Sequence, residues 1–309
     1  MALNLPECII EFVKSIFKQA NYEASKALTQ HPSLHEPHID SLLIANLSAS
    51  PPTYFQKERA AVAIETHWLG SRSMYDRWEI ADIALFIIIR RSGTLEKRKV
   101  ALLQTKRLYS REIPTRELEE FDYHVGIGRI ADKPKVIFPL SNQRNFSFDF
   151  ECVFGAMAAG SPQVGRIDAY QATRGIPVYY GMYCPLAVPY SGLYPATSGE
   201  EIDIECEYGM RVESANVIHK ALGKVVAGKA PSLAEFHDQE KQQHFGWTLE
   251  DFVAEEVMRC NEGKLFEDDT DTNLHGLLYE RSAPITAAIA ITIDIGCLLY
   301  TSPSPRDRG

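Results

Sequence analysis

Asp82 stands at the head of an apolar run, Glu79–Ile89 (EIADIALFIII). A carboxylate there is costly to desolvate unless a cation, a metal ion or a set of donors faces it. The next apolar segment, Val100–Lys106, ends in Gln104-Thr105-Lys106-Arg107. Strand alternation sends Gln104 and Lys106 to one face and Thr105 to the other. A hairpin between the two segments would set Asp82 beside that pair. Such a set suits metal-dependent phosphodiester hydrolysis. Asp82 would ligate a hard divalent cation, Mg2+ or Mn2+. Gln104 would give a neutral oxygen ligand or orient its bound water, and Lys106 would stabilise hydroxide or the charge on the scissile phosphate. Gln104 in place of a carboxylate removes one negative charge from the ligand set. Glu36 is the leading candidate to restore it, with Glu65 and Glu79 as runners-up.

The elements that must position these residues follow from periodicity. Residues 6–30 read as an amphipathic helix with Ile9, Phe12, Val13, Ile16 and Phe17 on one side. A second helix begins near Glu36, carries Ile39, Leu42, Leu43 and Leu47, and ends at Pro51-Pro52. A short strand is expected around 61–65. The two apolar strands at 79–89 and 100–106 flank a polar turn, Arg90–Lys99, that contains Gly93. Further strands are expected at 135–138, 176–184 and 208–212, and helices at 163–173, 214–222 and 249–260. The stretch 283–300 is alternating, with Ile285, Ile289, Ile291, Ile293 and Ile295 on one parity, which is a strand pattern and not a membrane helix. Together these imply a mixed α/β sheet flanked by helices.

Charge bears on partners. The chain carries −9 over 309 residues, which excludes a uniformly basic nucleic-acid coat. Between Ile87 and Arg116, however, nine basic residues face two acidic ones. Arg90, Arg91, Lys97, Lys99, Arg107 and Arg111 are the candidate phosphate contacts of a local groove; a solvated hairpin tip is the ordinary alternative. The six cysteines form no CxxC pair, and the N-terminal stretch carries Glu7 and Glu11 with no basic leader region, so a reduced, cytoplasmic, non-membrane protein is expected. Three segments are expected: an N-terminal helical extension (1–30), an α/β domain (31–295) and a Ser/Pro/Arg-rich tail (296–309) that reads as non-native or disordered.

Other patterns carry less. His31, His35, His38 and Asp40 invite a zinc reading but lack a fourth ligand at matching spacing. Gly126-Ile-Gly128-Arg-Ile-Ala131 matches GxGxxA without a buried strand before it. The acidic run 267–271 lacks the Gly and terminal Glu of a calcium loop. Tyr179, Tyr180 and Tyr183 read as core aromatics. Glu36 itself has an ordinary alternative, as a first-turn acid favoured by the helix dipole.

The order Glu36 on a helix, Asp82 on a strand, then Gln104-x-Lys106 on the next strand resembles the PD-(D/E)XK nuclease superfamily, in its Mrr-like Gln-x-Lys form. The stretches HEPHIDSLLIANL, EIADIALFIIIRR, LLQTKRLY, GIPVYYGMYCP and YGMRVESANVI are similar to an uncharacterised bacterial set with a QAKR-type motif. The resemblance spans about residues 30–222. It departs in having no Pro before the first acid and Ile83 where relatives often have Trp. It implies a three-layer αβα restriction-endonuclease-like core with a mixed central sheet and helical additions. It also implies Mg2+-dependent cleavage of DNA, with RNA left open, a homodimer as one oligomeric option, and a role in bacterial or phage defence. The alternative is a catalytically inactive nuclease-fold module that binds nucleic acid or a partner protein.

Overall fold

A computed structural model describes residues 5–69, 80–111, 144–194, 204–237, 244–266, 274, 276–277 and 284–296. The expected strand at 135–138, Glu79, the GxGxxA segment, the acidic run 267–271 and the tail from 297 onward lie outside the described residues.

The chain is mixed α/β. Among the described residues its main sheet has nine strands: β1 (Thr53–Phe55), β2 (Ala60–Trp68), β3 (Ala81–Arg91), β4 (Thr94–Arg107), β6 (Val178–Tyr183), β8 (Met210–Ser214), β9 (Trp247–Thr248), β10 (Lys264–Phe266) and β11 (Ile285–Ile295). The order is β1-β2-β11-β3-β4-β6-β8-β9, with β10 also paired to β4. Two further strands, β5 (Arg144–Phe148) and β7 (Tyr190–Tyr194), make a separate antiparallel pair. The helices are α1 (Glu7–Gln30), α2 (Glu36–Ser48), α3 (Pro162–Arg174), α4 (Ala215–Leu222) and a short α5 (Leu249–Asp251). A π-helical turn, Phe252–Val257, continues α5, where sequence periodicity predicts one regular helix to residue 260.

The two long apolar strands do pair antiparallel, Ile83 opposite Leu103 through Ile87 opposite Lys99. Both are buried on both faces for most of their length, which is why they read as continuous apolar runs. The expected ten-residue turn is much shorter. Only Ser92 and Gly93 turn the chain, both at positive φ (49° and 81°), the backbone that a two-residue hairpin loop requires. Arg90, Arg91 and residues 94–98 extend the strands, and their mostly polar side chains mark the part of the hairpin that runs past the core.

Strand β11 comes from the far end of the chain and inserts between β2 and β3, antiparallel to the first and parallel to the second. Its alternation is real: the isoleucines from Ile285 to Ile293 are buried, and on the other parity Ala288 and Ala290 are buried too, while Thr286, Thr292 and Asp294 are half-buried. Helix α1 is not a detached extension. Ile9, Val13, Phe17, Ala24 and Leu28 belong to the same core cluster as the sheet strands, and Asn21 and Thr29 on its buried side accept the backbone N–H groups of Met210 and Leu186.

Candidate active site

Strand β4 runs out of its ladder with β3 at Leu103 and continues beside β6 in parallel, with Gln104 opposite Tyr180, Thr105 opposite Gly181 and Arg107 opposite Tyr183. Asp82 lies one residue beyond the last β3–β4 pair. Its Oδ2 accepts the Thr105 backbone N–H (2.6 Å), the Gln104 Nε2 (2.5 Å) and the Thr105 hydroxyl (2.9 Å). The half-buried carboxylate is therefore met by a set of donors, and the expected meeting of Asp82 with Gln104 is present.

Helix α2 covers the face that carries Thr105, Arg107 and Tyr183. Glu36 and Asp40, one turn apart, point together at the end of β4. Glu36 Oε1 accepts the Arg107 backbone N–H (3.0 Å), and its Oε2 lies 3.9 Å from Lys106 Nζ. Glu36 thus faces the sheet instead of serving only as a first-turn acid. Burial pushes its carboxyl up, against the Lys106 charge and with that of Asp82. Lys106 is buried too, at 4% exposure. The four residues expected to act together, Glu36, Asp82, Gln104 and Lys106, gather at one end of the β3–β4 pair. The runner-up Glu65 is exposed on β2, two strands from β3.

Asp40 is the acid that sequence reading missed, having been weighed only beside the histidines. Its Oδ1 accepts the Tyr183 hydroxyl (2.8 Å) and its Oδ2 lies 3.0 Å from Thr105 Oγ1. Burial, and then the charge of Asp82, hold its carboxyl well above the usual range. The hydrogen count agrees. Thr105 has one hydroxyl hydrogen and contacts two carboxyl oxygens, so the second hydrogen comes from Asp40. The chain then runs from Asp40 through Thr105 to Asp82. Because the folded value is raised, Asp40 contributes stability that is full below the ordinary carboxylate range and is lost as pH rises through the raised value. Asp40→Asn, which mimics the neutral acid, is expected to change neutral-pH stability by less than about 1 kcal/mol and to flatten that decline, whereas Asp40→Ala, leaving Tyr183 unpaired, costs about 1–3 kcal/mol. Denaturant midpoints measured across a pH series check both.

The opposite face carries Gln104 and Tyr180. Gln163, at the start of α3, donates from Nε2 to Gln104 Oε1 (3.1 Å), and its own backbone N–H is held by Ser161 Oγ. Tyr180 OH lies 3.0 Å from His219 Nε2 on α4, and His219 Nδ1 lies 2.7 Å from Asp168 on α3. This tie fixes α3 to α4 and to the strand next to Gln104. Burial pushes the Tyr180 phenol up. Tyr179, Tyr180 and Tyr183 are all within 1% of full burial, as core aromatics.

The basic strip is not assembled beside these groups. Along β3, Arg90 and Arg91 lie about 27–30 Å from Asp82 at ~3.3 Å per residue. Lys97 pairs opposite Ile89 near the same hairpin tip. A sequence window folds back at its turn, and its most basic part falls at the end away from Asp82. Lys99 is buried at 2% exposure, its stem against Gly263, and burial pushes its amine down. Arg107 also departs from the expected phosphate contact. It is 2% exposed, it donates to the carbonyls of Leu34 and Pro32, and its guanidinium lies 3.9 Å over the Tyr109 ring. Arg111 is exposed and paired with Asp149.

The donor set, two carboxylates and an amide oxygen, suits a hard divalent cation in type. In the arrangement seen, the direct hydrogen bond of Gln104 to Asp82 closes the space between them, and among the described residues no three His, Cys, Asp or Glu side chains are spaced to hold an ion. His35 and His38 approach only to 6.4 Å between rings, and Asp40 is turned to Thr105 and Tyr183, away from a zinc arrangement. No helix among the described residues is long and apolar enough to cross a membrane. Comparison with family models, curated proteins and solved structures returned no match.

Proposed function

We propose that the chain is a metal-dependent nuclease that hydrolyses DNA phosphodiester bonds, built on a three-layer αβα restriction-endonuclease-like core. The observation that carries this reading is the gathering of Glu36, Asp82, Gln104 and Lys106 at one end of β3 and β4. The packing of α2 on β4, and of α3 and α4 on the opposite face at Gln104 and Tyr180, supports the layered core. Asp82, Glu36 and Gln104, through its amide oxygen, would hold Mg2+ or Mn2+, which supplies Lewis acidity and a water of lowered pKa when bound. The chain's own groups do the rest. The Arg107 backbone N–H orients Glu36, and Lys106 places a fixed positive charge where phosphate charge grows in the transition state.

The test is cleavage of supercoiled plasmid with Mg2+. Lys106→Ala is expected to slow it by about 10²-fold or more, and Asp82→Ala to remove it. Cleavage unaffected by either change overturns the assignment. The closed Asp82–Gln104 hydrogen bond favours a second reading, the same fold as a binding module without catalysis. Calorimetry with Mg2+ or Mn2+ separates the two, because the module would show no carboxylate-dependent metal binding.

A further inference from the structure

Gln104 is caught between two partners of opposite demand. Toward Asp82 it must donate in the closed arrangement, and toward a cation it must accept. An amide can do either by turning over, since its oxygen and nitrogen ends have nearly the same shape. Turning over ordinarily strands the far end of the amide. Here the far end meets Gln163, which is also an amide and only partly buried. In the arrangement seen, Gln163 donates to Gln104 and Gln104 donates to Asp82. If both amides turn, Gln104 donates to Gln163 and presents Oε1 toward Asp82, and no hydrogen bond between the two amides is lost. A carboxylate at either position would permit only one polarity.

We propose that Gln163 and Gln104 form a paired amide toggle, with Gln163 a positioning residue that lets Gln104 exchange a donor for a metal-accepting face. The inference rests on the cation reading above and adds a residue outside the Gln-x-Lys motif. Gln163 is well placed for it. Pro162 starts α3, Ser161 Oγ caps the Gln163 N–H, and the Asp168–His219–Tyr180 tie holds the helix further along.

Two measurements test it, one free of metal. In the wild type without metal, the Gln104 side-chain NH2 should show a nuclear Overhauser contact to the Thr105 N–H, since both donate to one Asp82 oxygen. Asp82→Asn combined with Gln163→Glu keeps an oxygen for the Thr105 N–H but moves the negative charge from position 82 to position 163, so the Gln104 NH2 should turn to the new carboxylate and the contact should vanish. Its persistence overturns the toggle, whatever metal does. In calorimetry, Gln163→Glu should tighten Mg2+ binding and Gln163→Lys weaken it, each by about threefold to tenfold. In a Gln104→Met background the same pair should show only the smaller, salt-screened effect of charge. Equal effects in both backgrounds overturn the toggle. Absence of Mg2+ binding by the wild type, or binding unchanged by Asp82→Asn, overturns the cation reading and leaves the metal-free measurement to decide the amide pair.

Discussion

Asp82→Asn is expected to lower Mg2+-dependent DNA cleavage by about 10³-fold or more while the protein stays folded. The carboxylate is the one charged group of the site whose oxygen binds three donors at once. Asparagine keeps its shape and an accepting oxygen, so the Thr105 N–H remains satisfied. The charge assistance is lost, and the stability cost is about 1 kcal/mol. What disappears is the negative charge that would hold the cation. That loss has a readout apart from activity. The charge of Asp82 helps to push up the carboxyls of both Asp40 and Glu36. In Asp82→Asn both should titrate lower than in the wild type, measured by carboxyl-carbon NMR across a pH series. Cleavage within about threefold of wild type would remove Asp82 from the chemistry. Unmoved titrations would show that the three carboxyls do not share one field.

The parts of this site that were legible are those governed by short-range pattern. Asp82 before an apolar run and Gln104-x-Lys106 at the end of another are local, and a hairpin brings them together by the simplest connection. Glu36 was reachable because a helix start was clear. Asp40 had a signal too. It sits beside Ile39 and one turn before Leu43 and Ile44, in the buried stripe of α2, and an acid in an apolar stripe needs partners. Those partners, Thr105 and Tyr183, are 65 and 143 residues away, so periodicity alone gives no means of naming them. The same limit hid the place of β11: alternation marks a strand, but insertion between β2 and β3 depends on pairing across more than 190 residues. Charge counting failed for a different reason. It treats a guanidinium as solvated, and nothing in a run of basic residues separates Arg91 at a hairpin tip from Arg107 bonded to two buried carbonyls.

Arg107 therefore belongs to the frame of the site, and its removal should be the most damaging single change to stability. Its guanidinium bridges the carbonyls of Pro32 and Leu34, the segment that leads into α2, and its backbone N–H holds Glu36. One residue thus fixes both where α2 begins and where the first carboxylate of that helix points. Burial lowers its pKa to about 10, so it stays charged at neutral pH, and its charge also favours ionised Glu36. Arg107→Met fills similar volume but leaves two carbonyls without donors and leaves Glu36 with Lys106 as its compensating cation. The expected loss is about 3–5 kcal/mol, read from denaturant midpoints. Arg107→Lys should recover little of it, because an ammonium is a point donor and cannot span two carbonyls in a fixed fork. Adding Glu36→Gln to Arg107→Met should restore part of the loss by removing a buried charge that has lost one of its two cations, and the double-mutant cycle measures that share. A phosphate-binding role predicts a different pattern: Arg107→Met would leave stability within about 1 kcal/mol of wild type, weaken DNA binding and make its salt dependence shallower by about one contact. The unfolding measurement alone decides between the two.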